Sequence, residues 1–161
     1  QLEKQMAMMA SKTAEESKII DEYLEAKGID AQTTESGLRY VITDEGNGTF
    51  AESGDKVSVH YAGKILDGAY FDTSMESVAR EQGIYNEQRA EQVGYNPFEV
   101  VVGQGRVIRG WDEGIPLIPE GGKGTLYIPS ALGYGARGSG AVIKPFSILE
   151  FDVEVISVEK N

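Results

Sequence analysis

The stretch that decides the fold reads Val107-Ile108-Arg109-Gly110-Trp111-Asp112-Glu113-Gly114. Its branched, apolar and indole side chains need a shared hydrophobic site, and its closely spaced glycines hold the segment to one short helix. Gly105 precedes the segment, and Gly114 and Pro116 end it, so we predict a helix from about residue 107 to residue 113. A short helix of this composition can form the floor of a pocket.

Five segments around this helix have the composition of β-strands. They cover residues 38–42, 56–65, 98–102, 125–128 and 149–155. In the second segment, Val57, Val59 and Tyr61 alternate with Ser58 and His60, so that one face is buried and the other meets water. Because glycine-rich turns separate the strands, we predict an α+β domain in which an antiparallel sheet folds over the short helix.

The N-terminal 27 residues contain no proline or glycine and predict a helix that ends at Gly28. Its apolar stripe consists of Leu2, Met6, Met9, Thr13, Ile20 and Tyr23 or Leu24. Thr13 and Glu16 also match a capping box, which would start a separate helix at Thr13. The stripe has two interpretations, a solvated arm or a helix that joins two copies of the chain.

The chain divides into two predicted parts, an N-terminal helical extension of residues 1–30 and a domain of residues 31–161. Within the domain, residues 74–95 are rich in Glu, Gln, Arg and Ala and are predicted to form a helical insertion. This insertion is either a polar surface excursion or an element that walls or covers a groove.

Composition excludes several kinds of chemistry. The 15 Lys and Arg against 26 Asp and Glu give a net charge of −11, which repels nucleic acid, and no apolar run is long enough for a transmembrane segment. The chain has no cysteine and a single histidine, His60, which has no metal-ligand partner beside it. We therefore predict no metal site and no cofactor.

Six motifs follow one another along the domain. They are VHYAG (59–63), DGAYFDTS (67–74), NPFEV (96–100), VGQGRVIRGWDEGIP (102–116), GTLYIPSALGYGARG (124–138) and FDVEV (151–155). In this order and at this separation they closely resemble the FKBP-type peptidyl-prolyl cis-trans isomerases, over roughly residues 37–159. That resemblance implies a twisted antiparallel β half-barrel wrapped around one short helix, with an apolar pocket between them.

The resemblance also implies roles for individual residues. Trp111 would be the pocket floor, although a lone tryptophan in a small domain is by itself more typical of a core. The backbone N–H of Ile108 and the hydroxyl of Tyr134 would bind substrate carbonyls, and Asp72 would hold the hydroxyl of Tyr61. The implied catalytic residues are Tyr61, Asp72, Ile108 and Tyr134, and the implied substrate-binding residues are Phe71, Phe98, Val107, Trp111, Ile143 and Phe151.

The function that the resemblance implies is isomerisation of Xaa-Pro bonds in unfolded or partly folded polypeptides, and so assistance to folding. The alternative is a non-catalytic module that binds proline-containing segments, or a chaperone. The same pocket would accept the family's macrolide inhibitors, and residues 1–27 would form a homodimer. The helical extension resembles exported bacterial members, which favours the cell envelope or periplasm, with a lipid anchor before processing or a cytoplasmic location as alternatives. Because the chain starts at Gln1, we expect it to have been cut from a longer one.

Overall fold

The computed structural model describes residues 1–161 and contains one seven-stranded sheet and four α-helices. The strands are β1 (Gln32–Thr33), β2 (Arg39–Asp44), β3 (Lys56–Ile65), β4 (Tyr70–Thr73), β5 (Phe98–Val101), β6 (Lys123–Ile128) and β7 (Leu149–Glu159). The helices are α1 (Leu2–Ala26), α2 (Glu76–Glu81), α3 (Glu87–Gln92) and α4 (Arg109–Gly114), with 3-10 turns at Ile115–Leu117 and Ser130–Leu132.

The sheet is open and antiparallel throughout, with the order β1-β2-β6-β7-β3-β4, and β5 also pairs with β3. Strands β4 and β5 pair with different ends of β3, so the chain leaves the sheet after Thr73 and returns to it at Phe98. The predicted α+β arrangement of an antiparallel sheet over one short helix is confirmed. The structure adds β1 and β4 to the five predicted strands.

The core lies between the sheet and α4. Along β3, Val57, Val59 and Tyr61 are buried while Ser58 and His60 are only partly so, which confirms the predicted alternation. Glycine allows α4 to approach the sheet closely: a Cβ at Gly110 would lie 2.7 Å from Ile128, and a Cβ at Gly114 would lie 2.7 Å from Leu126. Two glycines four residues apart therefore form one flat face of α4, and this face lies against β6.

The N-terminal helix is continuous, so the alternative start at Thr13 is wrong. The hydroxyl of Thr13 donates to the carbonyl of Met9 inside the helix, and Glu16 turns to a distant part of the chain instead of capping the helix. Gly28 follows the helix with φ +67°, as predicted for a helix end.

The two halves of α1 have different surroundings. Ile20 and Leu24 pack in a small cluster with Tyr127 of β6 and Ile148. By contrast, the apolar residues of the first half are exposed: Leu2 by 68%, Met6 by 63%, Met8 by 53% and Met9 by 37%. The second half is thus docked on the sheet, and the first half projects from it.

Residues 74–95, which the sequence predicts as a helical insertion, contain α2 and α3. The two helices are connected by a stack of four side chains: Arg80 lies over Tyr85, Tyr85 stacks on Tyr95, and Arg89 lies over Tyr95. The ring centroids of the two tyrosines are 5.6 Å apart at 20°. Cation–π contacts and stacking stabilise such a stack, so this segment is an ordered part of the fold.

Candidate active site

A cavity of about 530 Å³ opens between the sheet and α4. Its volume is in the range typical of small-molecule sites. Eleven residues line it: Tyr61, Phe71, Asp72, Phe98, Gly105, Arg106, Val107, Ile108, Trp111, Tyr134 and Phe151. Most of them are hydrophobic, so we call this space the aromatic cavity.

The floor of the aromatic cavity is a set of edge-to-face aromatic rings centred on Trp111. The indole lies 5.0 Å from the ring of Tyr61 and 5.3 Å from the ring of Phe151, at interplanar angles of 72° and 81°. Phe98 lies 6.1 Å away on a further side. Trp111 is 6% exposed, and its indole N–H has no hydrogen-bond partner in the protein. The indole is therefore part of the core and part of the cavity wall at once.

One side of the rim carries a hydrogen-bonded carboxylate. Asp72 accepts from the hydroxyl of Tyr61 at 2.7 Å through one oxygen and from the guanidinium of Arg89 at 2.7 Å through the other. Burial, followed by the hydrogen bond to Asp72, raises the pKa of Tyr61 well above its ordinary value. Burial lowers the pKa of Arg89, but the hydrogen bonds of Arg89 with Asp72 and Tyr61 have the larger effect. The pKa of Arg89 is therefore raised.

The backbone of Tyr61 is held from the same side. The hydroxyl of Thr73 donates to the carbonyl of Tyr61 at 2.6 Å, and the amide of Tyr61 donates to the hydroxyl of Ser74 at 2.8 Å. His60 also contacts the Ser74 hydroxyl, at 2.9 Å, on the face of β3 that points away from the core. Strand β4 and the residue after it therefore fix both the backbone and the hydroxyl of Tyr61.

Ile108 and Tyr134 bring two further hydrogen-bond donors to the cavity. The N–H of Ile108, just before α4, donates to no group of the protein. The loop before it is fixed by Asp112, whose two carboxylate oxygens accept from the amides of Gly103 and Gly105 at 2.9 Å each. Tyr134 lines the cavity at 37% exposure, and burial, with the charge of Asp72, raises the pKa of its hydroxyl.

The structure brings all but one of the predicted site residues to the aromatic cavity. The exception is Ile143, which is 6% exposed within the hydrophobic core and is not among the residues that line the cavity. Sequence reasoning missed Gly105 and Arg106 of the rim, which belong to the quoted motif around Trp111. It also missed Arg89, which no motif marks because it comes from the insertion.

Two further observations describe the molecule as a whole. No three His, Asp or Glu side chains are arranged to hold a metal ion. None of the four helices combines the length and the apolar character needed to cross a bilayer.

The open sheet, the short helix and the aromatic cavity between them define a class of α+β proteins with one apolar cavity and a few polar groups at its edge. A sequence profile of the FKBP-type peptidyl-prolyl cis-trans isomerases matches residues 47–156. The chain belongs to this family, and the resemblance stated from the sequence is confirmed.

Individual proteins agree with this assignment. A probable FKBP-type peptidyl-prolyl cis-trans isomerase of Haemophilus influenzae is 44% identical over 133 residues, which are 83% of this chain and 47% of that protein. An FK506-binding protein of Neisseria meningitidis serogroup A is 42% identical over 114 residues, or 71% of this chain and 89% of that protein. The crystal structure of FkpA from Escherichia coli is similar with a TM-score of 0.67 and 31% identity, covering 96% of this chain and 64% of that one. The chain thus spans about half the length of the Haemophilus relative.

Proposed function

We propose that this chain catalyses the cis-trans isomerisation of Xaa-Pro peptide bonds in the aromatic cavity. The observation that carries the proposal is the position of Trp111 beneath a rim that presents Asp72-bound Tyr61, the Ile108 N–H and Tyr134. A pyrrolidine ring fits an apolar floor of this kind, and donors at the rim can bind the carbonyl groups on either side of it.

The chemistry requires neither a nucleophile nor a proton transfer. Rotation about a peptide bond costs about 18–20 kcal/mol because the amide resonance must be broken, and prolyl bonds isomerise slowly without a catalyst. The twisted amide is less charge-separated than the planar one, so an apolar cavity disfavours the planar form relative to it. A donor placed for the twisted geometry adds binding energy in the transition state alone. Each tenfold acceleration needs only about 1.4 kcal/mol.

The rim residues would divide the work between binding and orientation. The Ile108 N–H and the Tyr134 hydroxyl would bind substrate carbonyls, while Asp72 orients the Tyr61 hydroxyl at the cavity edge. Burial and the charge of Asp72 raise the pKa of the Tyr134 hydroxyl, which keeps its proton at neutral pH and can donate a hydrogen bond to a substrate, whereas the Tyr61 hydroxyl donates its hydrogen bond to Asp72. The remaining aromatic side chains would exclude water from the bond that rotates.

A protease-coupled assay on a short Xaa-Pro peptide tests the proposal. We expect Asp72→Ala and Tyr134→Phe each to lower kcat/KM by about tenfold, since a hydrogen bond to a charged or reacting group contributes roughly 1–3 kcal/mol. Tyr40→Phe is the matched control, because the Tyr40 hydroxyl bonds Gln32 at the surface. Wild-type protein that leaves the uncatalysed rate unchanged would contradict the proposal.

A fluorescence titration beside this assay separates catalysis from simple binding. The chain has a single tryptophan, so a change in its fluorescence reports occupancy of the cavity directly. A non-catalytic proline-binding module or chaperone would show this change with the peptide but no acceleration. An enzyme would show both, with a KM that follows the fluorescence titration.

We propose that the substrates are proline-containing segments of unfolded or partly folded polypeptides. The cavity is open at the surface and is lined mostly by hydrophobic residues that would contact one apolar ring. This supports a broad range of substrate sequences around the proline. Refolding of a protein limited by prolyl isomerisation should therefore accelerate with wild-type chain and lose this acceleration with Asp72→Ala. Equal acceleration by both proteins would show that Asp72 is not needed, and no acceleration by the wild-type chain would contradict the isomerase role and favour a holding chaperone.

We propose that residues 1–30 are an extension of the isomerase domain of residues 31–161 and that two copies associate through it. The exposed Leu2, Met6 and Met8 support this proposal, since apolar residues on one stretch of helix favour association. Sedimentation should give a dimer for the full chain and a monomer for the double variant Met6→Glu/Met8→Glu. The control variant Gln88→Glu/Gln92→Glu adds the same charge in α3 and should remain a dimer. A wild-type chain that sediments as a monomer would contradict the proposal.

We propose further that this protein works in the cell envelope, in the periplasm. The long N-terminal helix in front of the isomerase domain supports this location, because it resembles the extension of exported members. Fractionation of the source cells with an antibody against the chain should find it in the periplasmic fraction. A signal confined to the cytoplasmic fraction would contradict the proposal.

We also propose that the macrolide FK506 occupies the aromatic cavity. The support is the name of the Neisseria relative and the apolar lining of the cavity here. FK506 should alter the Trp111 fluorescence and compete with the peptide substrate. Inhibition without competition would point to a different site.

A further inference from the structure

A buried carboxylate connects the N-terminal helix to the isomerase domain. Glu16 of α1 is 4% exposed, and Ser130 is 2% exposed. One oxygen of Glu16 accepts from the Ser130 amide, and the other accepts from the Ser130 hydroxyl, each at 2.6 Å. These two residues lie 114 positions apart in the sequence, so the contact depends entirely on the docking of α1.

Ser130 is also the base of the loop that carries Tyr134. Its carbonyl accepts from the amides of Gly133 and Gly135, at 3.0 and 2.8 Å, which are the residues on either side of Tyr134. All three polar groups of Ser130 are thus used, two toward Glu16 and one toward the Tyr134 loop, which we define as residues 130–135. A displacement of Ser130 would move both amides that flank Tyr134.

The contact is directional, unlike the apolar contacts around it. A buried carboxylate is costly unless its oxygens are hydrogen-bonded, and no Lys or Arg forms an ion pair with Glu16. Its favourable interactions in the fold come from the two donors of Ser130, and removal of the carboxylate would leave a buried N–H without a partner. Both sides of the contact therefore favour one position of the loop.

We infer that Glu16 is a positioning residue that sets the Tyr134 hydroxyl at the rim of the aromatic cavity. Through this contact the N-terminal helix takes part in substrate binding without touching the substrate. The inference rests on the proposed isomerase function for its effect on kinetics, while its effect on the loop can be measured independently of activity.

The full chain with Glu16→Ala is the principal test. We expect KM for the Xaa-Pro peptide to rise about threefold to tenfold with little change in kcat, because a loosened Tyr134 loop weakens the binding of the substrate carbonyl. Glu16→Gln should restore part of the loss, since a side-chain amide can still accept from the Ser130 N–H. In a Tyr134→Phe background the effect of Glu16→Ala should shrink, because the positioned hydroxyl is already absent.

Asp21→Ala is the matched control on the same helix. Asp21 pairs with Arg39 at 3.0 Å and forms no hydrogen bond with residues 130–135, so its removal weakens the docking of α1 without acting on the Tyr134 loop through a polar contact. Its KM should stay at the wild-type value. Equal increases in KM for Asp21→Ala and Glu16→Ala would overturn the specific role of Glu16.

Amide hydrogen exchange provides the readout that does not need activity. Glu16→Ala should speed exchange at Gly133 and Gly135 by about tenfold while the β3–β7 ladder keeps its protection. If this variant does not fold, Glu16→Gln, which has nearly the same shape, should give a smaller increase at the same two amides. Unchanged exchange and unchanged KM in a folded Glu16→Ala protein would overturn the inference. An inactive wild type would contradict the isomerase proposal alone, and the exchange rates would still decide whether Glu16 holds the loop.

Discussion

Asp72 is the residue on which the rim of the aromatic cavity depends, because each of its oxygens has a different partner. One oxygen orients the Tyr61 hydroxyl, and the other pairs with Arg89 from the insertion. The side chain of Asp72 is 43% exposed, so without Arg89 it could rotate toward water and release Tyr61. A residue from outside the family motifs thus stabilises a residue inside them.

Replacement of this arginine should weaken activity without abolishing it. We expect Arg89→Met to lower kcat/KM by about 1.5-fold to fivefold, because a partly exposed ion pair contributes roughly 0.2–1 kcal/mol and the freed Asp72 orients Tyr61 less well. The measurement is the peptide isomerisation assay. Arg80→Met is a close control, since Arg80 lies over Tyr85 in the same stack but does not contact Asp72. A similar loss in both variants would indicate that the stack matters and the contact with Asp72 does not.

Sequence alone predicts the cavity residues where a local motif contains them, as it does for Trp111, Phe71 and Tyr134. Arg89 could not be predicted, because its contact with Asp72 depends on the path of an insertion whose residues form no motif. Ile143, also predicted to bind substrate, is buried in the core and does not line the cavity, because the sequence around a residue does not determine whether its side chain faces the cavity. The direction in which a side chain in an irregular loop points depends on the tertiary packing of that loop.

At the level of elements, the approach of α4 to β6 sets the height of the Trp111 indole over the sheet. Gly110 and Gly114 permit this approach, with Ile128 and Leu126 filling the space where side chains would stand. Both contacts are with fully buried residues that have little freedom to move. The short distance between α4 and β6 therefore requires glycine at positions 110 and 114.

Gly110→Ala should destabilise the protein, although alanine normally favours a helix over glycine by about 0.5–1 kcal/mol. The added methyl group would lie 2.7 Å from Ile128, and overpacking of this kind costs roughly 1–3 kcal/mol. Urea unfolding measures the difference in the free energy of unfolding. Ser77→Ala at an exposed position of α2 should change it by less than about 0.5 kcal/mol. A more stable Gly110→Ala protein would show that α4 can shift away from β6.

The start of β3 is joined to the end of the chain by Asp55, and this contact should make stability depend on pH. Backbone amides of Glu52 and Asn161, and then Lys160, hold the pKa of Asp55 below its ordinary value of 3.8. A folded-state pKa that is lowered contributes stability above the unfolded value and loses it as the pH falls through the folded value. The contribution is therefore present at neutral pH and lost below pH 3.8.

Asp55→Asn should thus be less stable than wild type at neutral pH, with a deficit that shrinks at about pH 3. Urea unfolding at both pH values gives the comparison. Glu35→Gln removes a carboxylate that is exposed and forms no hydrogen bond or ion pair, and it should change stability at neither pH. If Asp55→Asn lowers the free energy of unfolding equally at both pH values, the loss comes from the contacts of the asparagine side chain and not from the charge of Asp55.

The type of each main element follows from the sequence, whereas its partners often do not. The alternation of β3 and the glycine at the end of α1 predict these elements directly. The helix start predicted at Thr13 is wrong because Glu16 accepts a hydrogen bond from Ser130 in the folded domain. The spacing of residues within the helix carries no information about such a distant partner. Strand β1 escapes prediction because two residues are too few to display a period.

For the molecule as a whole, the net charge of −11 should influence which peptides reach the cavity. An acidic protein attracts cationic ligands over a range set by the Debye length, which falls from about 30 Å at 0.01 M salt to about 3 Å at 1 M. Peptides that carry lysines beside the Xaa-Pro bond should therefore be favoured at low salt.

Two peptides that differ only in flanking lysine or glutamate test this expectation. At about 0.01 M salt the lysine peptide should have a kcat/KM roughly threefold to tenfold higher, and the two values should converge at about 1 M. An uncharged peptide with flanking glutamines should show no salt dependence. A preference that persists at high salt would indicate direct contacts with the flanking residues and would exclude long-range attraction as its cause.

The strand order has a practical consequence for anyone who shortens the chain. Strand β6 lies between β2 and β7, yet the family profile begins at residue 47, after β2 has ended. A fragment cut at that boundary would leave a row of backbone amides and carbonyls of β6 facing water. Such a free edge is a template for the same edge of another molecule, so the fragment should aggregate under conditions in which the 161-residue chain stays dispersed.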